Sequence, residues 1–311
     1  MSYSGPPGCG YTAGIVNAPI RKDQIDAVAA GTLVAFNALL GLNQALVKLV
    51  NGAFSPVFQS GLRSACAFFV VLAWAIAARK RLSVRDGSLP YGLFAGFLFA
   101  LEFALLFYAV EFTSVARASL LFYSMPFMTA LGAHFLFPED RLTAPRTLGL
   151  GLAIGGIALV LGDARSQPGE HAWIGDLLAL GAAMAWSGIA LFTRGTRLIE
   201  SSQEQVMLYH LSVSAVLLLP LALVIGNPIR QPTSELLAVF AFQVVAVASA
   251  GFLLWSWVLR VYPVGRMTSF SLLSPVFGVF FGWLLFSDPL SWRFAIAFMA
   301  VGIGLLLINR R

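Results

Sequence analysis

Charge is what this sequence has least of. Only 11% of its 311 residues are Asp, Glu, Lys or Arg, while 59% are apolar. An ordinary soluble domain carries about 25% charged residues. So few polar groups cannot cover a water-exposed surface, which excludes a soluble enzyme and a disordered or collagen-like chain. Cysteine is also scarce: Cys9 and Cys66 offer neither a disulfide framework nor metal-ligand spacing. Cys66 lies in an apolar run, where it reads as a small hydrophobe. There is no P-loop, no H-E-x-x-H and no G-x-S-x-G, and no connection is long enough to hold a nucleotide-binding domain. The expectation is therefore no enzyme, no cofactor and no metal. The net charge of +6 does not indicate a nucleic-acid partner, because the basic residues sit in short clusters between apolar runs and form no stripe.

What the sequence has instead is long apolar segments. A membrane-spanning helix needs about 20 mostly apolar residues. Ten segments qualify: 27–50, 54–78, 89–112, 116–137, 147–162, 173–193, 203–226, 236–261, 267–287 and 292–309. They lack strict apolar/polar alternation, which points to helices and not to a barrel. Residues 1–26, rich in Gly and Pro, read as a flexible cytoplasmic tail and not as a cleavable signal. With the N-terminus inside, fourteen Lys and Arg fall on the cytoplasmic side and five outside, with Arg63 inside a segment. The positive-inside rule then places both termini in the cytoplasm, as an even number of spans requires.

An internal repeat organises the ten segments. At an offset of 149, Val115 meets Val264, Arg117 meets Arg266, Pro126 meets Pro275, Phe137 meets Phe286 and Glu139 meets Asp288. At an offset of 146, Lys48 meets Arg194. Each half, 27–165 and 166–311, holds five spans. Five is odd, so the second half enters the membrane from the opposite side. The fold class is thus an all-α integral membrane protein, with ten transmembrane helices as two inverted five-helix repeats around a central cavity. Inverted repeats are an architecture of secondary transporters.

These features resemble the drug/metabolite transporter superfamily, EamA type: five plus five inverted helices, a Pro-containing fourth helix ending in an acidic residue, and a Gly-rich fifth. The resemblance covers about residues 27–309 and is most specific at 119–160 and 268–308. The chain is most similar to the bacterial aromatic amino-acid exporters of that superfamily, the YddG-like proteins. It departs from the superfamily's usual Trp-Gly pair in the first helix of each half, with Leu40–Gly41 and then Trp186–Ser187. The resemblance implies export of small metabolites across the bacterial inner membrane, through a cavity lined mainly by helices 1, 3, 4, 6, 8 and 9. An exporter of other metabolites or cationic drugs is the alternative reading. A channel should show a continuous polar path, and an intramembrane enzyme should show convergent nucleophile, base and metal residues.

Ionisable and polar groups inside spans mark candidate sites, because each is costly in lipid. Glu102 and Arg63 come out at similar depth on adjacent helices. They either pair structurally, or Glu102 faces the cavity to meet a substrate ammonium or carry a proton. Asn37, Gly41, Gln44 and Lys48 form one stripe on helix 1, with Lys48 placed to snorkel outward. Trp186 and Ser187 on helix 6, Tyr123 on helix 4, and Gln243 and Trp257 on helix 8 complete the candidate substrate-binding set. Trp257 equally suits an interfacial belt. His134 is a candidate coupling residue, although a lone histidine at such a place is more often a satisfied packing residue. The matched Pro126 and Pro275 are candidate hinges, since proline frees a backbone carbonyl and permits a bend. Gly92–Gly96, Gly151–Gly155 and Gly278–Gly282 are small-residue pairs suited to close helix approach. The expected partners are a small-molecule substrate, an amino acid or similar metabolite, and the lipid bilayer.

Overall fold

The structure is a computed structural model that describes residues 27–80, 82–83, 85–163, 169–251, 254, 270 and 273–308. The tail 1–26, Trp257 and Arg266 lie outside the described residues. The described chain forms α1 (Ala27–Val50), α2 (Pro56–Ala77), α3 (Leu89–Phe112), α4 (Val115–Phe122), α5 (Met125–Leu136), α6 (Ala144–Leu161), α7 (Ala172–Gly195), α8 (Gln203–Ile225), α9 (Ser234–Phe242), α10 (Leu273–Phe286) and α11 (Trp292–Ile308). A π-helical segment, Gln243–Gly251, continues α9. Eight spans are long and apolar enough to cross a membrane, and Leu273–Phe286 and Trp292–Ile308 are shorter apolar helices, which together fit the ten segments.

Local chemistry sets the helix starts. Ser55, Ser114, Ser202 and Thr233 are extended at the N-cap and accept a hydrogen bond from the backbone N–H three residues on. Proline opens α2, α3, α5 and α6 in the first turn, where its missing N–H costs nothing. Pro126 therefore does not kink a continuous helix. The fourth span is broken at Tyr123–Ser124, and Pro126 stands at the start of its second half.

We call the end of the bundle where α1 starts proximal and the end where it finishes distal. The tightest packing follows the repeat. α6 lies along α11, so close that a Cβ on Gly149 would sit 2.7 Å from the Gly304 carbonyl oxygen. α2 lies along α8, and α3 fills the angle between α7 and α8. α1 packs on α10, while α5 and α4 pack on α7, the arrangement expected of inverted halves. The main apolar core gathers Val47, Phe107, Leu120, Leu121 and Phe127 with Val301 of α11. Gly92–Gly96 and Gly278–Gly282 approach neighbours as the sequence suggests, but a Cβ on Gly151 or Gly155 would meet nothing within 4 Å among the described residues. Gly149 and Gly156, two turns apart, are the residues of α6 turned to α11.

Candidate functional site

The stripe on α1 faces α10 and α4. Asn37 is buried; its Nδ2 donates to the Leu33 carbonyl at 2.7 Å and its Oδ1 accepts from the Ser274 hydroxyl. Ser274 also shares a hydrogen bond with the buried Tyr123 phenol, so spans 1, 9 and 4 meet through one serine beside Pro275. A turn further along, a Cβ on Gly41 would lie 2.5 Å from Phe277 Cβ, and Gly278 in turn abuts Ser119. These contacts seal the distal half of the α1–α4–α10 junction. The buried Ser119 and Ser124 hydroxyls have no hydrogen-bond partner among the described residues.

A second polar group lies between α1, α2 and the π segment. Gln59 Nε2 donates to Gln243 Oε1 at 3.2 Å, and Gln243 Nε2 reaches Asn43 Oδ1 at 3.4 Å. Gln44 Oε1, Gln59 Oε1 and Ser60 Oγ are buried without a hydrogen-bond partner among the described residues. One turn along α2, the Arg63 guanidinium carbon stands 4.4 Å from the Phe103 ring centroid and 4.8 Å from that of Phe107. Arg63 and Glu102 are both buried and attract one another electrostatically, yet no direct ion pair joins them among the described residues. His210 stacks on Phe99 with centroids 4.9 Å apart.

The sixth span has two distinct faces. Trp173, Leu177 and Met184 form its outward stripe. At about 100° per residue, Trp186 points away from that stripe. It lies on the side where Ala179, Ala182 and Ala183 are buried, yet it is 39% exposed. Ser187 is turned into the junction instead, within 2.8 Å of both the Met125 and the Ala183 carbonyls. His134 sits near the proximal end, where its Nδ1 accepts from the Leu142 N–H at 3.2 Å. A cleft of ≈ 540 Å³ at the distal end is lined by Ser55, Tyr108, Asn227 and Arg230, among others, and by none of the sequence-predicted residues.

The distal end also carries a charged network that the sequence reading missed. Arg117, fully buried, donates Nε to Asp176 Oδ1 at 3.1 Å, NH2 to Asp176 Oδ2, and NH1 to the Asp163 carbonyl at 3.2 Å. Thr113 Oγ1 donates to the same Asp176 Oδ1 at 2.9 Å, and Ser291 donates to Asp163. Asp176 is an acidic residue inside the sixth apolar segment, a signal of the same kind as Glu102. Lys48 does not snorkel: its Nζ is turned inward to the Thr113 carbonyl at 3.0 Å.

Two inverted halves built around buried polar groups suit a carrier, and the relatives agree. The sequence profile of the EamA-like transporter family matches residues 29–162 and again 173–310. The chain belongs to the EamA-like transporter family. Its relatives include the uncharacterized transporter YoaV of Bacillus subtilis, 23% identical over 88% of this chain and 94% of that protein. Another is an S-adenosylmethionine/S-adenosylhomocysteine transporter of Chlamydia trachomatis, 26% identical over 88% of each chain. A crystal structure sharing 22% identity superposes with a TM-score of 0.62 over 91% of this transporter and 96% of that chain, a likeness of fold. The protein is thus a multi-pass membrane transporter.

Proposed function

We propose that this transporter exports amino acids, aromatic and other neutral ones, across the bacterial inner membrane by alternating access. Both termini, and so the proximal end, face the cytoplasm. The observation that carries the reading is Trp186, an aromatic side chain on the inward side of the sixth span that stays 39% exposed. Asn37, Gln44, Tyr123, Ser187 and Gln243, buried in the structure, complete the proposed set with amide and hydroxyl groups suited to an α-ammonium and a carboxylate. Trp257 belongs to the proposed set by its place in the eighth segment. Glu102 supplies a negative charge for the ammonium or carries a proton, and His134 is the second candidate for coupling. Pro126, just after the break in span 4, and its match Pro275 in span 9 are the proposed hinges at which the two spans exchange shape.

The relative named for S-adenosylmethionine favours a second reading. That substrate is itself an amino acid bearing an aromatic purine, so amino acids with large aromatic substituents fit the same chemistry. Counterflow in proteoliposomes with labelled phenylalanine, tryptophan, leucine, S-adenosylmethionine and an organic cation separates the readings. Exchange of the aromatic amino acids, reduced by Glu102→Gln and by Trp186→Ala, is expected. Exchange confined to S-adenosylmethionine moves the assignment to the second reading, and exchange of the cation alone overturns both. Impermeant labelling of Asn227→Cys from the periplasm, with Gly87→Cys protected, is expected from the orientation.

A further inference from the structure

The distal cleft is lined by no residue proposed for the substrate, and its walls are built to stay in place. They are the start of α2 at Ser55, the last turns of α3 at Tyr108, and the turn from Ile225 to Gln231 that follows α8. Gly226 and Asn227, with φ of 90° and 50°, turn the chain sharply off the end of α8. The returning segment is tied to the turn between α1 and α2. The Ser55 N–H donates to the Pro228 carbonyl at 2.9 Å, the Arg230 N–H to the Ala53 carbonyl at 2.8 Å, and the Gln231 N–H to the Gly52 carbonyl at 3.1 Å. Backbone bonds therefore hold the rim, and the cleft is preformed. About one turn further in, Val57, Ala222 and Ala104 belong to one packed apolar cluster with Leu218 and Ala100. The three helices touch there, which closes the floor of the cleft.

The rim presents two opposite charges side by side. Arg230 donates NH1 to the Asn51 carbonyl at 2.9 Å and NH2 to Glu111 Oε1 at 2.7 Å, which fixes the guanidinium. A guanidinium has five N–H donors, so these two bonds leave others for a ligand. Ser55 and Tyr108 add hydroxyls to the same cleft. A simple anion would be drawn to Arg230 and repelled by Glu111, whereas a group that carries both charges meets both. Apolar surface adjoins the charges directly: Val224, Ile225 and Ile229 are all exposed. At the end of a spanning helix, such side chains meet acyl chains where the headgroups begin.

We propose that the distal cleft binds the headgroup of a zwitterionic aminophospholipid, with its phosphate on Arg230, Tyr108 and Ser55 and its primary ammonium on Glu111. The acyl chains then run along α8 past Ile225 and Val224. A soluble zwitterion shares the two charges but would leave this apolar wall bare. The site rests on the membrane-transporter fold, and neither on the choice of substrate nor on which side the distal end faces.

Native mass spectrometry and thermal melts of the full chain, stripped of lipid in detergent, test this without any transport assay. Phosphatidylethanolamine should be retained better, and should raise the melting temperature more, than two other phospholipids. Phosphatidylglycerol lacks the ammonium, and the ammonium of phosphatidylcholine has no N–H to donate. Soluble phosphoethanolamine at the same concentration should not stabilise. Arg230→Gln should weaken retention of phosphatidylethanolamine about tenfold, the factor carried by one hydrogen bond to a charged group. Glu111→Gln should level phosphatidylethanolamine with phosphatidylcholine. Gln231→Trp fills the cleft from an exposed position and keeps the backbone bond to Gly52. It should exclude the lipid and leave the melting temperature of the lipid-free protein unchanged. Three results each overturn the proposal: equal retention of phosphatidylethanolamine and phosphatidylglycerol, retention unaffected by Gln231→Trp, and stabilisation by phosphoethanolamine equal to that by the lipid. The last would assign the cleft to a soluble zwitterion.

Discussion

The two ends of the bundle carry similar charges in opposite environments. The distal Arg117–Asp176 pair is 0% and 1% exposed, while the proximal Arg194–Glu139 pair is 41% and 66% exposed. The distal pair has the fork geometry of a bidentate bond and further donors on the same carboxylate, so it ties spans 3, 4 and 6 into one plate. The proximal pair competes with water at every step. A bundle sealed by buried polar bonds at one end and held by solvated ones at the other has an end that opens more readily. The difference teaches that matched sequence positions in inverted repeats need not share an environment in one conformation.

The sharpest way to break this contrast is to truncate both arginines. Removing one partner of a buried pair costs about 3–5 kcal/mol, because the other charge is left buried and alone. Arg117→Ala should therefore lose most folded protein, or melt far lower in detergent, with Asp176→Ala close behind. Arg194→Ala should change stability by about 1 kcal/mol or less, as exposed pairs do. Equal losses in thermal melts of the two variants would erase the distinction between the ends.

A smaller effect is expected where the distal plate is tight without charge. Gly282→Ala pushes a methyl onto Asp288 and the α4 N-terminus, an overpacking of about 1–3 kcal/mol. Gly151→Ala meets nothing within 4 Å and should stabilise slightly, by about 0.5–1 kcal/mol, through helix propensity. Chemical or thermal unfolding of the two variants side by side checks the sign of each.

Much of this was legible in the sequence. The apolar segments predict the spans, and 27–50 and 89–112 coincide with α1 and α3. The repeat offsets place Lys48 and Arg194, and Glu139 and Asp288, at opposite ends. What was not legible is which polar groups find each other across spans. Asn37 depends on Ser274, 237 residues away, and Gln59 on Gln243, 184 residues away. Periodicity tells which face of a helix is polar, but not which helix that face meets. The break at Tyr123–Ser124 was also hidden, because a proline inside a long apolar run reads as a kink until the hydrogen bonds on either side are known.

The smallest expected effect separates the ends by acidity. Burial pushes the Asp288 carboxyl up, against the pull of the Ala116 N–H, Lys48 and the Val115 N–H. Asp86, at the exposed proximal loop, is held below the ordinary range by the Ser88 hydroxyl, the Ser88 N–H and Gln205. The charged group that acts on Asp288 is Lys48 of α1. For Asp288 the raised value means that its contribution to folding is present at low pH and lost as pH rises through that value. Only the ionised carboxylate, however, attracts Lys48, and the neutral carboxyl accepts from the two N–H groups more weakly. Acidification from neutral pH should thus raise the labelling of Ser119→Cys by a hydrophilic maleimide relative to a fully exposed cysteine, which corrects for the falling thiolate fraction, with no fall in melting temperature. For Asp86 the sign is the reverse: its stabilisation is present above about 3.9, the ordinary carboxylate value, and lost as pH falls through the lower folded value. The Ser83–Ser88 loop should loosen from Gln205 only in that more acid window, seen as faster amide exchange at Ser88 relative to a peptide of the same sequence. Asp288→Asn should remove the first step and Asp86→Asn the second. Both steps at one pH, or a distal step that survives Asp288→Asn, would mean that the ends titrate as a single unit and that burial does not set them apart.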